Sequence, residues 1–234
     1  MKVAVNGYFQ KQKDLFDDIE KKFKSGEVPS TIVEALDDYK NDNQICLTSV
    51  AFLSKSLQRK IITDIISPLK KTDPRQYFYL AKSLHLTIQN IRTVNKPPLF
   101  TDEDIEKTKE VFAKIIPKHS IIKFKLEGLF ELPTSLGLRA YSSEDLKGLC
   151  VDLREGLKKA GVPDNKIYAS EDIIFGNVSV SRYTLAPNKE FFEIVKKLKN
   201  VEIGTFNVQS VSLITTNSVC YPNKTKIIKT YNLQ

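Results

Sequence analysis

Apolar and polar positions alternate along Ser83-Leu84-His85-Leu86-Thr87-Ile88-Gln89. In an extended strand, neighbouring side chains point to opposite faces, so His85 and Thr87 share one face while Leu84, Leu86 and Ile88 share the other. The same alternation returns at Gly176-Asn177-Val178-Ser179-Val180-Ser181, where Asn177 and Ser179 are backed by Val178 and Val180. Each polar pair is placed to face a cleft. One copy carries a histidine and the other does not.

The pattern around these strands predicts the remaining elements. Phe9, Phe16, Ile19 and Phe23 recur at helical spacing until Ser25-Gly26, and Pro29-Ser30 opens a second helix carrying Ile32, Leu36 and Tyr39. Residues 1–42 therefore read as a helical hairpin appended to a main domain of residues 43–234. From Gln44 the pattern turns to β through Phe52, followed by a helix with Leu57, Ile61, Ile62, Ile65 and Leu69 inside, its end marked by Pro68 and Pro74. Thr101-Asp102-Glu103-Asp104 spells a capping box ahead of a helix that buries Val111, Phe112, Ile115 and Ile116. Residues 121–127 and 136–141 alternate as half-buried strands. Ser142 opens a helix striped with Leu146, Leu149, Leu153 and Leu157, and Pro187-Asn188 opens another. Residues 204–215 and 225–231 read as strands that close a sheet.

Each alternating strand is thus preceded by a strand and a helix and followed by a helix, and His85 and Asn177 lie 92 residues apart. The fold class expected from this order is α+β, bilobal with a pseudo-twofold, two antiparallel sheets with outer helices around a central cleft.

Composition narrows the setting. No apolar run approaches the roughly 20 residues of a spanning helix, and Met1–Gly7 is too short an apolar stretch for a secretory signal. A cytoplasmic protein with no membrane contact is expected. Cys46, Cys150 and Cys220 are scattered, and with only two histidines no metal-ligand spacing appears, so buried free thiols and no metal or cofactor are expected. Residues 1–42 carry a net −2 of the chain's +8, which leaves +10 on the rest. A basic body suits a phosphate-bearing partner, although lysine-rich solvated faces also occur in unrelated proteins.

His-Leu-Thr-Ile at 85–88, followed by Asn-Val-Ser-Val-Ser-Arg-Tyr at 177–183, resembles the paired His-x-Thr/Ser motifs of the two-histidine (2H) phosphoesterases. That superfamily includes 2'-5' RNA ligases and RNA 2',3'-cyclic phosphodiesterases. The resemblance covers residues 43–234. It implies His85 as a catalytic group and Thr87 and Ser179 as hydroxyls that hold phosphate oxygens, with Asn177 at the position of the second histidine. Imidazole titrates near neutrality and can serve as base or acid, whereas an amide donates a hydrogen bond but exchanges no proton usefully. The implied partner is an RNA or nucleotide with a cyclic or 2'-linked phosphate, acted on with reduced or altered catalysis. The alternatives are a catalytically inactive nucleotide- or RNA-binding member of the same fold, and an interaction protein working through its amino-terminal hairpin. His119, in a helix-to-strand turn, is expected at the surface. Strict alternation turns Arg182 away from Asn177 and Ser179, into a structural role.

Overall fold

The computed structural model describes residues 7–234, so the stretch read for a secretory signal lies almost wholly outside the described residues. Helix α1 (Gly7–Lys24) forms as its spacing predicts. Phe16 is fully buried, with ring centroids 4.9 Å from Phe130 and 4.4 Å from Phe175. Gly26 ends the turn after the helix at φ 84°, a left-handed conformation open to glycine.

The expected second helix is absent. Residues 27–44 hold no helix or strand and run as a strap over the body. Their polar groups find distant partners in place of i−4 carbonyls: Thr31 N–H donates to the Ile167 carbonyl at 3.1 Å, Ile167 N–H donates to Thr31 Oγ1 at 2.9 Å, and Thr134 Oγ1 donates to the Val33 carbonyl at 2.7 Å. Thr31, Ile32 and Val33 are β-branched and resist helix, so these tertiary bonds prevail over a weak local preference. Tyr39 anchors the far end of the strap, buried and donating to the Tyr183 carbonyl at 3.1 Å.

Strand β1 (Ile45–Phe52) follows, buried through its middle, and leads to α2 (Lys55–Ile61), a π-helical turn at Ile62–Ile66 and α3 (Ser67–Thr72). Pro68 does not end this helix. It sits in the first turn of α3, just after the wider π turn, where a residue lacking an N–H is tolerated. The chain continues through β2 (Tyr77–Phe78), β3 (His85–Asn95) and α4 (Asp102–Ile115), whose capping box forms with Thr101 N–H donating to Asp104 Oδ2 at 2.9 Å. Then come β4 (Ile122–Leu132), β5 (Ser135–Ser142) and α5 (Asp145–Lys159). Ser142 closes β5 rather than opening α5, because its N–H donates to Gln12 Oε1 of α1 at 3.1 Å. Strand β6 (Gly176–Arg182), α6 (Lys189–Lys197), β7 (Glu202–Val208), β8 (Ser210–Thr216) and β9 (Lys226–Asn232) complete the fold.

The strands make two antiparallel sheets, ordered β3-β1-β8-β9 and β2-β6-β5-β4-β7. This is the expected α+β, two-sheet arrangement. The run at 204–215 is two strands instead of one, since the chain passes at Gln209 from the edge of one sheet into the other. One apolar core spans both sheets, with Leu86 and Ile88 from β3 beside Leu138, Val178 and Val180 from the second sheet. No helix among the described residues is long and apolar enough to cross a membrane.

The two alternating strands, β3 and β6, pack against each other although they belong to different sheets. Gly176 permits this approach: a Cβ there would lie 2.8 Å from Phe124 Cε1 and 3.1 Å from Leu86 Cδ2. Both neighbours are themselves fully buried and have little room to yield. Gly176→Ala is expected to lower the unfolding free energy by about 1–3 kcal/mol through overpacking. Urea unfolding of the two proteins would measure it, and an unchanged midpoint would contradict the tight approach.

Candidate active site

Between the two sheets lies a cleft of about 490 Å³, within the usual range for a small-ligand site. His85 and Thr87 of β3 and Asn177 and Ser179 of β6 all line it. Among the described residues, no protein group bonds the side chains of Thr87, Asn177 or Ser179. Three polar groups are thus presented to whatever enters.

The histidine ring is fixed. Nδ1 lies 2.7 Å from the Ser83 carbonyl oxygen, and because a carbonyl only accepts, Nδ1 carries the proton and donates. That leaves Nε2 as the nitrogen that can exchange a proton. Phe52 meets the ring edge-on, with centroids 6.2 Å apart.

Both strands break strict alternation just beyond the polar pair. On β3, Val50 of β1 faces Thr87 while Ser49 faces Gln89, so Ile88 is an extra residue and the faces exchange. Asn90 thereby enters the cleft in place of Gln89, and its buried Nδ2 has no hydrogen-bond partner. On β6, Gly137 of β5 faces Ser179 while Leu136 faces Ser181, another bulge. Ser181 turns inward to donate to the Tyr77 carbonyl at 2.9 Å, and Arg182 joins Asn177 and Ser179 in the cleft. The structural role expected for Arg182 is corrected accordingly. Its Nε donates to the Tyr79 hydroxyl at 3.2 Å, and the guanidinium faces the same space.

No family model matches the sequence, and no curated protein matches it. Solved structures do. A phosphoesterase crystal structure is similar with a TM-score of 0.58 and 12% identity, over 82% of this chain and 99% of that one. E. coli LigT in its apo form is similar with a TM-score of 0.53 and 14% identity, over 82% of this chain and 99% of that one. LigT complexed with 3'-AMP gives a TM-score of 0.53 and 13% identity over the same shares. The chain has the LigT-like phosphoesterase fold. The resemblance read from the two motifs therefore holds for the architecture.

Within the cleft, two features were not legible from the motifs. The first is Lys166, from the loop before β6, which also lines the cleft and makes no ion pair among the described residues. Burial, followed by the charges of Arg154 and Arg182, pulls its amine below the usual lysine range. Lys166 and Arg182 bring two cationic groups to a lining that also holds Glu34 and Asp42. The second is Cys220, which follows β8, lines the same cleft and is tied to the turn before His85 by Ser83 Oγ, which donates to its carbonyl at 2.7 Å. Burial opposes the charged ring, but the Cys220 charge and hydrogen bond, together with the Ser83 carbonyl, outweigh it and raise His85 above its ordinary value. His119 stands elsewhere, with Nε2 2.9 Å from Asp152 Oδ2. All three cysteines are free and buried, as expected.

An imidazole raised in the folded state stabilises the fold fully below its unfolded value, and that contribution fades as pH climbs through the folded one. In a pH titration by NMR, His85 is expected to titrate above the ordinary value near 6.5. Cys220→Ala should bring it down. A His85 midpoint indifferent to that substitution would show that the thiol does not hold the ring.

Proposed function

We propose that the cleft binds the phosphate of a 2',3'-cyclic phosphate or a 2'-5' linkage at an RNA or nucleotide end. Thr87, Ser179 and Asn177 would surround the nonbridging oxygens, with His85 as the single proton carrier. The observation that carries this reading is the convergence, from two sheets, of one imidazole, two unengaged hydroxyls and one unengaged amide on a cleft lined by Lys166 and Arg182. Crystals of E. coli LigT hold 3'-AMP, ATP and phosphate, which supports a nucleotide or phosphate ligand for the same fold here.

The chemistry sets a limit on rate. Opening a cyclic phosphate requires a proton removed from water and a proton supplied to the leaving ribose oxygen. Nε2 of His85 can do one of these at a time, and Asn177 can do neither. A missing acid or base typically costs roughly 10²- to 10⁴-fold, so turnover is expected to be slow. Imidazole, hydroxyls and cations supply what this reaction uses, so the reading invokes no metal or cofactor. It places the protein in the cytoplasm and treats residues 43–234 as the phosphoesterase-like domain. Residues 1–42 are then an extension whose strap, at Ser30–Val33, lines the cleft. A binding member of the fold without turnover is the second reading, favoured by Asn177, whose amide exchanges no proton.

Incubation with a 2',3'-cyclic nucleotide and with a short cyclic-phosphate-ended RNA tests both readings. Slow turnover lost in His85→Ala, and raised by one or more orders of magnitude in Asn177→His, supports the enzyme. Binding without turnover in either form supports the second reading. Arg182→Ala is expected to weaken 3'-AMP binding on the order of tenfold or more, as loss of a charged hydrogen bond would. Isothermal titration would register the change, and undiminished affinity would remove Arg182 from the phosphate site.

A further inference from the structure

The strap of residues 27–44 is tied at several points to elements on both sides of the cleft. Near its start, Thr31 exchanges two hydrogen bonds with Ile167, at 3.1 and 2.9 Å. The loop that holds Ile167 is itself joined to β3 of the first sheet, since Thr93 N–H donates to Asn165 Oδ1 at 2.9 Å and Asn165 Nδ2 donates to Thr93 Oγ1 at 3.1 Å. Two residues on, the Val33 carbonyl takes the Thr134 hydroxyl from the turn between β4 and β5 of the second sheet, at 2.7 Å. Towards its end, the Tyr39 carbonyl accepts Asn217 Nδ2 at 2.9 Å and Asp42 Oδ2 accepts the Ser218 hydroxyl at 3.0 Å. Asn217 and Ser218 follow β8, back on the first sheet. The strap therefore crosses from one sheet to the other and returns.

Position and charge of the strap both bear on what can enter. Thr31, Ile32, Val33, Glu34 and Asp42 line the same cleft as His85 and Asn177. The space left is about 490 Å³, in the lower half of the roughly 300–1,000 Å³ of ligand sites. That holds one nucleotide rather than a run of them. Residues 27–44 also carry five carboxylates, Glu27, Glu34, Asp37, Asp38 and Asp42, against the single Lys40, a net −4 on a chain whose total is +8. A single phosphate has Lys166 and Arg182 to pair with, whereas the further phosphates of a chain share the lining with Glu34 and Asp42, whose charge repels them.

We propose that the strap is a specificity element, which restricts the cleft to a single nucleotide with a terminal phosphate and excludes an RNA chain while it is in place. This selection rests on the phosphate-binding reading above and narrows its substrate class to nucleotides. A chain with its end at His85 needs the strap displaced, so its apparent affinity is its intrinsic affinity reduced by the fraction of protein with the strap open. The Thr31 and Thr134 side-chain bonds help to set that fraction. Each hydrogen bond is worth about fivefold in an equilibrium, so losing both raises the open fraction on the order of tenfold or more. Without the strap the order of affinities is the reverse, because the added phosphates of a longer chain tighten binding to a protein of net charge +8.

Isothermal titration compares 3'-AMP with a pentanucleotide of adenylates ending in a 3'-phosphate, which presents the same end. The unaltered protein is expected to bind 3'-AMP at least about tenfold more tightly. Thr31→Val combined with Thr134→Val removes the hydroxyl that accepts from Ile167 N–H and the one that donates to the Val33 carbonyl, and keeps both side chains β-branched. The double variant should narrow the preference by about tenfold or more. A pentanucleotide bound as tightly as 3'-AMP by the unaltered protein overturns the proposal and leaves the phosphate reading standing. A preference retained in full by the folded double variant does the same. Binding of neither ligand removes both readings. Should the double variant not fold, hydrogen exchange of the unaltered protein decides. The Thr31 and Ile167 amides are expected to stay protected with 3'-AMP bound and to exchange faster with the pentanucleotide bound; equal protection in the two complexes refutes the strap's role.

Discussion

Everything at the cleft depends on two strands of different sheets packing closely enough to share one core. Leu86 on β3 and Val178 and Val180 on β6 are fully buried in it, and the polar residues between them have nowhere to point but the cleft. The absent side chain of Gly176 sets how near the strands come, because Phe124 and Leu86 occupy the space a methyl group would need. Hydrophobic burial thus aims the polar groups. The cleft is the polar reverse of the core.

Around that frame, the local chemistry concentrates on one ring. Ser83 fixes the tautomer of His85, Cys220 lines the same cleft, and Arg182 brings a positive charge from the opposite sheet. On the facing strand Asn177 presents an amide, a group that binds without exchanging protons. One proton carrier, two hydroxyls and two cations share the cleft with the carboxylates of Glu34 and Asp42.

The amino-terminal extension is joined to the body by charge as well as by packing. Arg139 of β5 is nearly buried and bonds Asp17 at 2.8 Å and Glu20 at 2.6 Å, both on α1. Glu20 also accepts the Glu131 N–H at 2.9 Å. Breaking such a buried pair from one side is costly, because the remaining charge keeps its desolvation without its partner. Since α1 is secured in this way, the strap that follows it is held along the cleft at Ser30–Val33. The extension is therefore part of the cleft wall.

Alternation, helical stripes and capping residues act over a few positions, so the sequence alone determined most elements: the two polar-faced strands, the Thr101 capping box, the Asn188 cap and the apolar faces of α4 and α5. It also determined which side of each strand was core up to Thr87 and Ser179, and from the two motifs the LigT-like architecture. Tertiary structure decided the rest. Whether Ile88 is an extra residue depends on its pairing with β1, and whether Ser181 turns inward depends on β5 and the Tyr77 carbonyl. Those two bulges bring Asn90 and Arg182 into the cleft. The strap is not a helix because Ile167 and Thr134 supply its hydrogen bonds from more than a hundred residues away. Cys220 shares the cleft with His85 because β8 lies beside β1 and β1 beside β3 in one sheet, a neighbourhood that no local pattern encodes.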